Sequence, residues 1–213
     1  MKSDRSLGTI VIVDYGMGNL FSIQSAIRYM GAESIISSDK NTIITAGRII
    51  LPGVGSFYKA MENLSAAGLV TVLREAVISN KIPILGICLG MQLMSASSTE
   101  DGFSEGLGFI DCPVERFDDN KHERLKIPHV GFNAVSAIQK SKLFMDLDAR
   151  VDFYFTHSYR MKFAGQPYAS GICLHGESFI AVFEKEHICG TQFHPEKSQT
   201  NGLLLLRNFI KNF

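Results

Sequence analysis

The stretch Gly86-Ile87-Cys88-Leu89-Gly90 decides how the rest of this sequence is interpreted. It follows a short apolar run at residues 82–87 and precedes residues 89–97, so it should join a buried strand to a helix. A nucleophile between two glycines at such a junction is typical of a nucleophile elbow, here with cysteine in place of serine. Cys88 would then project above the carboxyl edge of a parallel sheet, where such sheets bind ligands. The alternative is a buried cysteine beside two packing glycines, and the pentapeptide alone does not separate the two.

On both sides of this stretch the first half of the chain alternates between strands and helices. Further strands are predicted at residues 9–13, 34–37 and 48–51. Helices are predicted at residues 20–30, with Asn19 as the cap, and at 57–79, with a break near Gly68. This alternation indicates a mostly parallel sheet with helices on both faces.

The second half of the chain contains mainly strand-like segments. One helix is predicted near the end, at residues 203–210. We expect the strands to extend the same sheet, partly in antiparallel fashion; they lie at residues 131–137, 151–156, 168–174, 179–183 and 187–193.

Composition places the chain among globular proteins. It has 213 residues, 46% of them hydrophobic, and 21 basic against 21 acidic side chains. These values predict one domain over residues 1–213 and argue against disorder and against a nucleic-acid partner. No apolar run approaches the roughly 18 residues of a membrane span, and the polar start does not resemble a signal peptide, so we predict a cytoplasmic protein without a membrane partner. The four cysteines lack C-x-x-C spacing and are expected to be free thiols.

A cysteine nucleophile needs a base and a group that orients the base. His194 is the best candidate for the base, because Glu196 lies two residues further on, across Pro195. In an extended segment these two side chains point to the same face, where the carboxylate can hold the imidazole. Taken alone, this pattern more often marks a surface histidine. Neither Cys88 nor His194 has further ligands at metal-binding spacing, so no metal is expected.

A glycine-rich segment follows the strand at residues 48–51. Backbone N–H groups at Gly53, Val54 and Gly55, together with that of Leu89, could stabilise a developing oxyanion. The alternative is a simple turn into the next helix, with Ser56 as its N-cap.

Six segments together resemble the class I, triad-type glutamine amidotransferases. They run from end to end of the chain: DYGMGNL (14–20), PGVGS (52–56), GICLGMQ (86–92), IPHVGFN (127–133), YFTHSY (154–159) and GTQFHPEKS (190–198). The resemblance implies the flavodoxin-like, three-layer α/β fold of that family.

The resemblance also implies a reaction and a set of site residues. L-Glutamine would be hydrolysed to glutamate and ammonia by a Cys88–His194–Glu196 triad, without a cofactor. The oxyanion hole would be formed by Gly53, Val54, Gly55 and Leu89. The substrate would be bound by Gln92, His157, Ser158 and Tyr159.

Some of these segments resemble the branch of the family that works with a synthase subunit. The implied partner is a HisF-like (β/α)8 barrel of histidine biosynthesis, which would receive the ammonia. The implied interface residues are Asn19, Phe132, Asn133, Tyr154 and Lys197. This branch usually has tryptophan where the chain has Phe132, and the chain contains no tryptophan at all. Two alternatives therefore remain: a related amidotransferase for surface-sugar amidination, and a stand-alone γ-glutamyl cysteine hydrolase.

The remaining histidines and cysteines suggest no catalytic role. His129 and His157 lie in the family segments and are expected to be structural or interfacial, while His122 falls in a charged loop at residues 118–124. The other residues of this kind are expected at strand ends or in the core: His175, His187, Cys112, Cys173 and Cys189.

Overall fold

A computed structural model of the protein describes residues 8–118 and 125–213. Its strands are, in chain order, β1 (Ile10–Val13), β2 (Ser34–Ser37), β3 (Arg48–Leu51), β4 (Ile84–Ile87), β5 (Ser97–Ser98), β6 (Ser104–Glu105), β7 (Pro113–Arg116), β8 (His129–Ala137), β9 (Arg150–His157), β10 (Tyr159–Met161), β11 (Ala169–His175), β12 (Glu177–Lys185) and β13 (Ile188–Thr191). Its α-helices are α1 (Leu20–Tyr29), α2 (Lys40–Ile44), α3 (Phe57–Ala66), α4 (Leu69–Arg74), α5 (Leu89–Leu93) and α6 (Gln199–Asn212). A π-helical turn, Glu75–Ser79, continues α4, and a 3-10 turn spans Pro195–Lys197.

Within residues 8–118 and 125–213, nine strands form the central sheet in the order β2-β1-β3-β4-β13-β12-β11-β8-β9. The strands from β2 to β13 run parallel, and those from β12 to β9 are antiparallel to their neighbours. The predicted α/β sheet with added antiparallel strands is therefore confirmed. Parallel strands buried on both faces are typically continuous apolar runs, as in β1 and in residues 49–51 of β3.

Alternate residues of the parallel strands enter two different cores. Val11 and Val13 face the core covered by α3, α4 and α5, whereas Ile10 and Ile12 face the core covered by α1 and α6. This arrangement is the predicted three-layer structure, and it leaves the carboxyl ends of β3, β4 and β13 side by side. None of the helices in the described residues is long and apolar enough to cross a membrane.

Two predicted helices have different lengths in the structure. The sequence predicts that the helix after Cys88 reaches residue 97, but α5 ends at Leu93. The carbonyls of Leu93 and Met94 instead accept hydrogen bonds from the amides of Leu107, Phe109 and Ile110. The closing helix begins at Gln199 rather than at residue 203, since its first turn is polar and has no apolar periodicity.

Two elements of the structure have no recognisable pattern in the sequence and were not predicted. Helix α2 is only five residues long and is capped by Asp39, whose side chain accepts a hydrogen bond from Thr42 N. A second sheet of four short strands, in the order β10-β7-β5-β6, packs beside the main sheet. Strands of two to four residues are too short to give an alternating pattern. Residues 119–124 of the predicted charged loop, which include His122, lie outside the described residues.

Candidate active site

Cys88 occupies the sharp turn between β4 and α5, as the elbow pattern predicts. Its φ of 54° and ψ of −110° form a conformation that non-glycine residues rarely adopt, which is typical of functional sites. A Cβ atom at Gly90 would lie 1.8 Å from the Leu51 carbonyl oxygen, and one at Gly86 would lie 2.7 Å from the backbone of Met91. The turn therefore requires both glycines, because any larger residue would collide with backbone atoms.

The Cys88 thiol lies among polar groups of the neighbouring strands. Its sulfur lies 3.9 Å from the Thr156 carbonyl oxygen and 3.8 Å from Gln192 Nε2. The Cys88 amide donates a 2.8 Å hydrogen bond to the Thr191 carbonyl of β13, which ties the elbow to the strand that leads to His194.

His194 and Glu196 form a buried pair directly after β13. The distance from His194 Nδ1 to Glu196 Oε1 is 2.8 Å, and the two side chains are 2% and 1% exposed. The extended geometry predicted for this segment is wrong, since Pro195–Lys197 forms a 3-10 turn. The turn nevertheless brings the two side chains together, and Tyr154 O and Ser198 Oγ hold the backbone of His194 by hydrogen bonds.

The environment of His194 favours its protonated form. Burial alone would lower the pKa, but the neighbouring Cys88 and Glu196 side chains outweigh it and raise the pKa of His194 to about 9. Within the described residues, Nε2 of the ring has no hydrogen-bond partner. That nitrogen is therefore available to exchange a proton with Cys88 or with a substrate.

A cavity of about 190 Å³ connects these groups with most of the predicted substrate site. The residues that line it are Val54, Gly55, Cys88, Leu89, Gln92, Glu100, Thr156, His157, Ser158, Tyr159 and His194. Gly53 lies outside this lining and packs tightly against Tyr15 and Leu89. A thiol, an imidazole and glycine-rich backbone around one cavity can carry out nucleophilic acyl transfer.

Gln92 is held rigidly in the wall of the cavity. Its Nε2 donates to the Tyr159 carbonyl at 2.8 Å and to Gln192 Oε1 at 3.0 Å. The amide oxygen of Gln92 is therefore the part of the side chain that can accept a hydrogen bond from a ligand.

Glu100 also lines the cavity, although no sequence pattern predicts it there. Its Oε2 accepts a 2.9 Å hydrogen bond from the Phe57 amide at the beginning of α3. Burial raises its pKa. Glu100 lies in the loop between β5 and β6, where no neighbouring residue marks it as part of a site.

Three of the five predicted interface residues lie together. The rings of Phe132 and Tyr154 are 5.6 Å apart, and Lys197 Nζ lies 5.9 Å from the Tyr154 ring. Phe132 is 51% exposed. Asn133 instead bonds to His129 and to the Leu174 carbonyl, while Asn19 caps α1 by accepting from Ser22 N.

Comparison with known proteins agrees with this geometry. The family profile "Glutamine amidotransferase class-I" matches residues 11–213. An imidazole glycerol phosphate synthase subunit HisH 1 of Campylobacter jejuni is 44% identical over 202 residues, which cover 95% of this chain and 99% of the relative. A HisH subunit of Leptospira interrogans is 40% identical over 201 residues, covering 94% and 98% of the two chains.

Solved structures with lower identity share the fold. One subunit of a putative GMP synthase from Thermoplasma acidophilum superposes with a TM-score of 0.72 at 20% identity, covering 97% of this chain and 94% of that one. The glutaminase domain of Trypanosoma brucei CTPS, with bound acivicin, has a TM-score of 0.66 at 17% identity, covering 96% and 94%. By its matching family profile and its similarity to HisH subunits over nearly the whole chain, the protein belongs to the class I glutamine amidotransferase family.

Proposed function

We propose that the chain is the glutaminase subunit of an imidazole glycerol phosphate synthase in histidine biosynthesis. It hydrolyses L-glutamine to glutamate and ammonia and passes the ammonia to a HisF-like (β/α)8 barrel. The observation that carries the proposal is that Cys88, His194 and Glu196 share one buried constellation, beside a cavity that also holds Gln92. The names of the similar HisH subunits support the pathway.

The reaction follows from the positions of the three side chains. After its thiol proton has passed to His194 Nε2, the Cys88 sulfur attacks the side-chain carbonyl carbon of glutamine, and the carbonyl oxygen becomes an oxyanion near the backbone of Val54, Gly55 and Leu89. Protonated His194 gives its Nε2 proton to the departing nitrogen, which leaves as ammonia and creates a γ-glutamyl thioester. Neutral His194 then takes a proton from water, whose oxygen attacks the thioester and releases glutamate. Glu196 keeps the Nδ1 proton in place throughout.

Recognition of the amino-acid end of glutamine is assigned to other polar groups that line the cavity. The carboxylate of Glu100 and the amide oxygen of Gln92 are acceptors suited to the α-ammonium group. The segment His157-Ser158-Tyr159 supplies backbone groups next to them.

Replacing Glu100 with glutamine should raise the KM for glutamine about tenfold, with a smaller change in kcat. The variant keeps an acceptor but loses the charge that pairs with the substrate ammonium, and such a bond contributes about 1.5–3 kcal/mol. Steady-state glutaminase kinetics measure this effect. Glu105→Gln, on the exposed strand β6, is the control and should leave both constants unchanged. An unchanged KM for Glu100→Gln would remove Glu100 from the substrate site.

Ammonia supplies a physical reason for a partner. In neutral water it is mostly ammonium, which is not nucleophilic, so a protected path to the acceptor is favourable. Phe132, Tyr154 and Lys197 form an exposed cluster, and strand β9 of this cluster also carries Thr156 of the cavity wall. We assign this cluster, with Asn19 and Asn133, to the partner interface.

Mixing the chain with a HisF-like barrel and its nucleotide ligand tests the function. We expect slow glutamate release from the chain alone and a rise of at least about 100-fold in the complex, because the partner would complete the site. Fast turnover of γ-glutamyl peptides without a partner would instead support the stand-alone hydrolase. If the barrel of histidine biosynthesis fails to activate the chain and a barrel of a surface-sugar pathway succeeds, the pathway assignment is wrong.

A further inference from the structure

Two buried histidines outside the triad form a continuous hydrogen-bonded chain to the glutamine site. His129 of β8 and His157 of β9 are directly opposite each other in the sheet. His129 Nδ1 lies 3.1 Å from His157 Nε2, and His157 Nδ1 lies 2.8 Å from the Tyr159 carbonyl oxygen. At the other end, Asn133 Nδ2 lies 3.1 Å from His129 Nε2.

The direction of every hydrogen bond in this series follows from the groups at its two ends. The Tyr159 carbonyl can only accept, so His157 Nδ1 donates and its Nε2 must accept from His129 Nδ1. His129 Nε2 is then an acceptor, which matches the donor Nδ2 of Asn133. The orientation of the Asn133 amide is set independently, because its Oδ1 accepts from Ala134 N and its Nδ2 also donates to Leu174 O.

The surroundings keep both rings neutral, as this one-way arrangement requires. Burial lowers the pKa of His129 to about 4 and that of His157 to about 3. Aromatic rings enclose the pair: Phe155 stacks on His129 at 4.7 Å, and Phe117 lies 5.4 Å from His157. At neutral pH both imidazoles therefore carry one proton, on Nδ1.

The Tyr159 carbonyl, which is the last acceptor of this hydrogen-bond series, also belongs to the glutamine pocket. The Tyr159 carbonyl accepts a second hydrogen bond from Gln92 Nε2, and Gln92 in turn bonds to Gln192 beside the Cys88 sulfur. We propose that His129 and His157 are positioning residues, which form a one-way hydrogen-bond relay from Asn133 to the Tyr159 carbonyl and thereby hold Gln92 in place for glutamine. The proposal rests on the proposed function, because it assigns the pocket to glutamine.

The relay is tested on the full chain by labelling Cys88 with a diazoketone analogue of glutamine. The concentration dependence separates binding (KI) from the reaction rate (kinact). His129→Leu removes both bonds of the ring, so KI should rise about tenfold while kinact changes less than about twofold. His129→Asn should restore much of the loss, because its Nδ2 can take the place of the donating Nδ1.

His175 supplies a matched control within the same cluster. Its ring stacks on His129 with a centroid distance of 4.0 Å, but its Nε2 bonds to Lys126 O, outside the relay. His175→Leu therefore disturbs the same packing and should leave KI within about twofold. An equal rise in KI for His175→Leu and His129→Leu, or no rise for His129→Leu, would overturn the relay.

A second variant avoids any cavity in the core. Asn133→Asp has nearly the same shape but faces His129 Nε2 with an acceptor, so it opposes the direction of the relay. We expect KI to rise. In the unchanged protein, the ¹⁵N NMR shifts of both rings should be those of the Nδ1–H tautomer, and in the variant they should change from these values. Nε2–H tautomers in the unchanged protein would contradict the relay, whatever the labelling shows. If Cys88 is not labelled at all, the proposed function fails, and the ring shifts still decide whether the relay exists.

Discussion

Replacing Cys88 with alanine should lower glutamine hydrolysis by about 10⁴-fold or more, because no other group can form the thioester. The other three cysteines cannot substitute for it. They are buried away from the cavity, and burial raises the pKa of each, to about 12 for Cys173. Measurement of glutamate release in the complex with the barrel gives this effect directly.

Two controls separate a chemical role of Cys88 from a structural one. The Cys88→Ala complex should still make product from added ammonium salts at an unchanged rate, since the proposed function assigns the acceptor site to the partner. Cys173→Ala, at another buried thiol, should keep glutamine hydrolysis. If Cys88→Ala abolishes the ammonium-dependent reaction as well, the residue serves folding or assembly rather than catalysis.

Replacing Glu196 with glutamine should lower kcat by about 10²- to 10⁴-fold. The amide can donate toward His194 Nδ1 and favour the wrong tautomer, and it no longer stabilises the protonated ring. Because Glu196 helps to raise the pKa of His194 to about 9, its removal should lower that pKa. The activity that depends on protonated His194 should therefore decline above about pH 9 in the unchanged protein and at lower pH in the variant.

The pH profile of kcat/KM for both proteins checks this expectation. Glu186→Gln is a suitable control, since Glu186 also lies beside a histidine, with 3.9 Å between its Oε2 and His187 Nδ1, but it is exposed and remote from the cavity. This variant should keep both the rate and the profile. An unchanged profile for Glu196→Gln would show that the carboxylate does not set the protonation of His194.

The parallel half of the fold was predictable because its signals are local. Strands β1, β3 and β4 are mostly apolar runs. The glycines that flank Cys88 are needed because neighbouring backbone atoms lie too close for any Cβ atom. The small sheet was not predictable, since its strands depend on contacts between distant residues and are too short to show a pattern. The length of α5 likewise depends on residues 107–110, whose backbone amides donate hydrogen bonds to the carbonyls at the end of the helix.

The site could be predicted only as far as its residues lie in recognisable segments. Cys88, His194 and Glu196 lie in such segments, and the structure brings them together. Glu100 reaches the cavity from a loop without any motif, through a bond to the Phe57 amide. The pairing of His129 with His157 depends on strand register, which two isolated histidines in a sequence do not reveal.

Nucleophilic catalysis by Cys88 requires that glutamine form a thioester on its sulfur. Acid quenching of the complex during glutamine turnover, followed by peptide mass spectrometry, tests it most directly. We predict a γ-glutamyl adduct on the peptide that contains Cys88, which disappears when glutamine is exhausted and is absent from Cys88→Ala. An adduct on a different residue, or turnover at full rate by Cys88→Ala, would show that Cys88 is not the nucleophile.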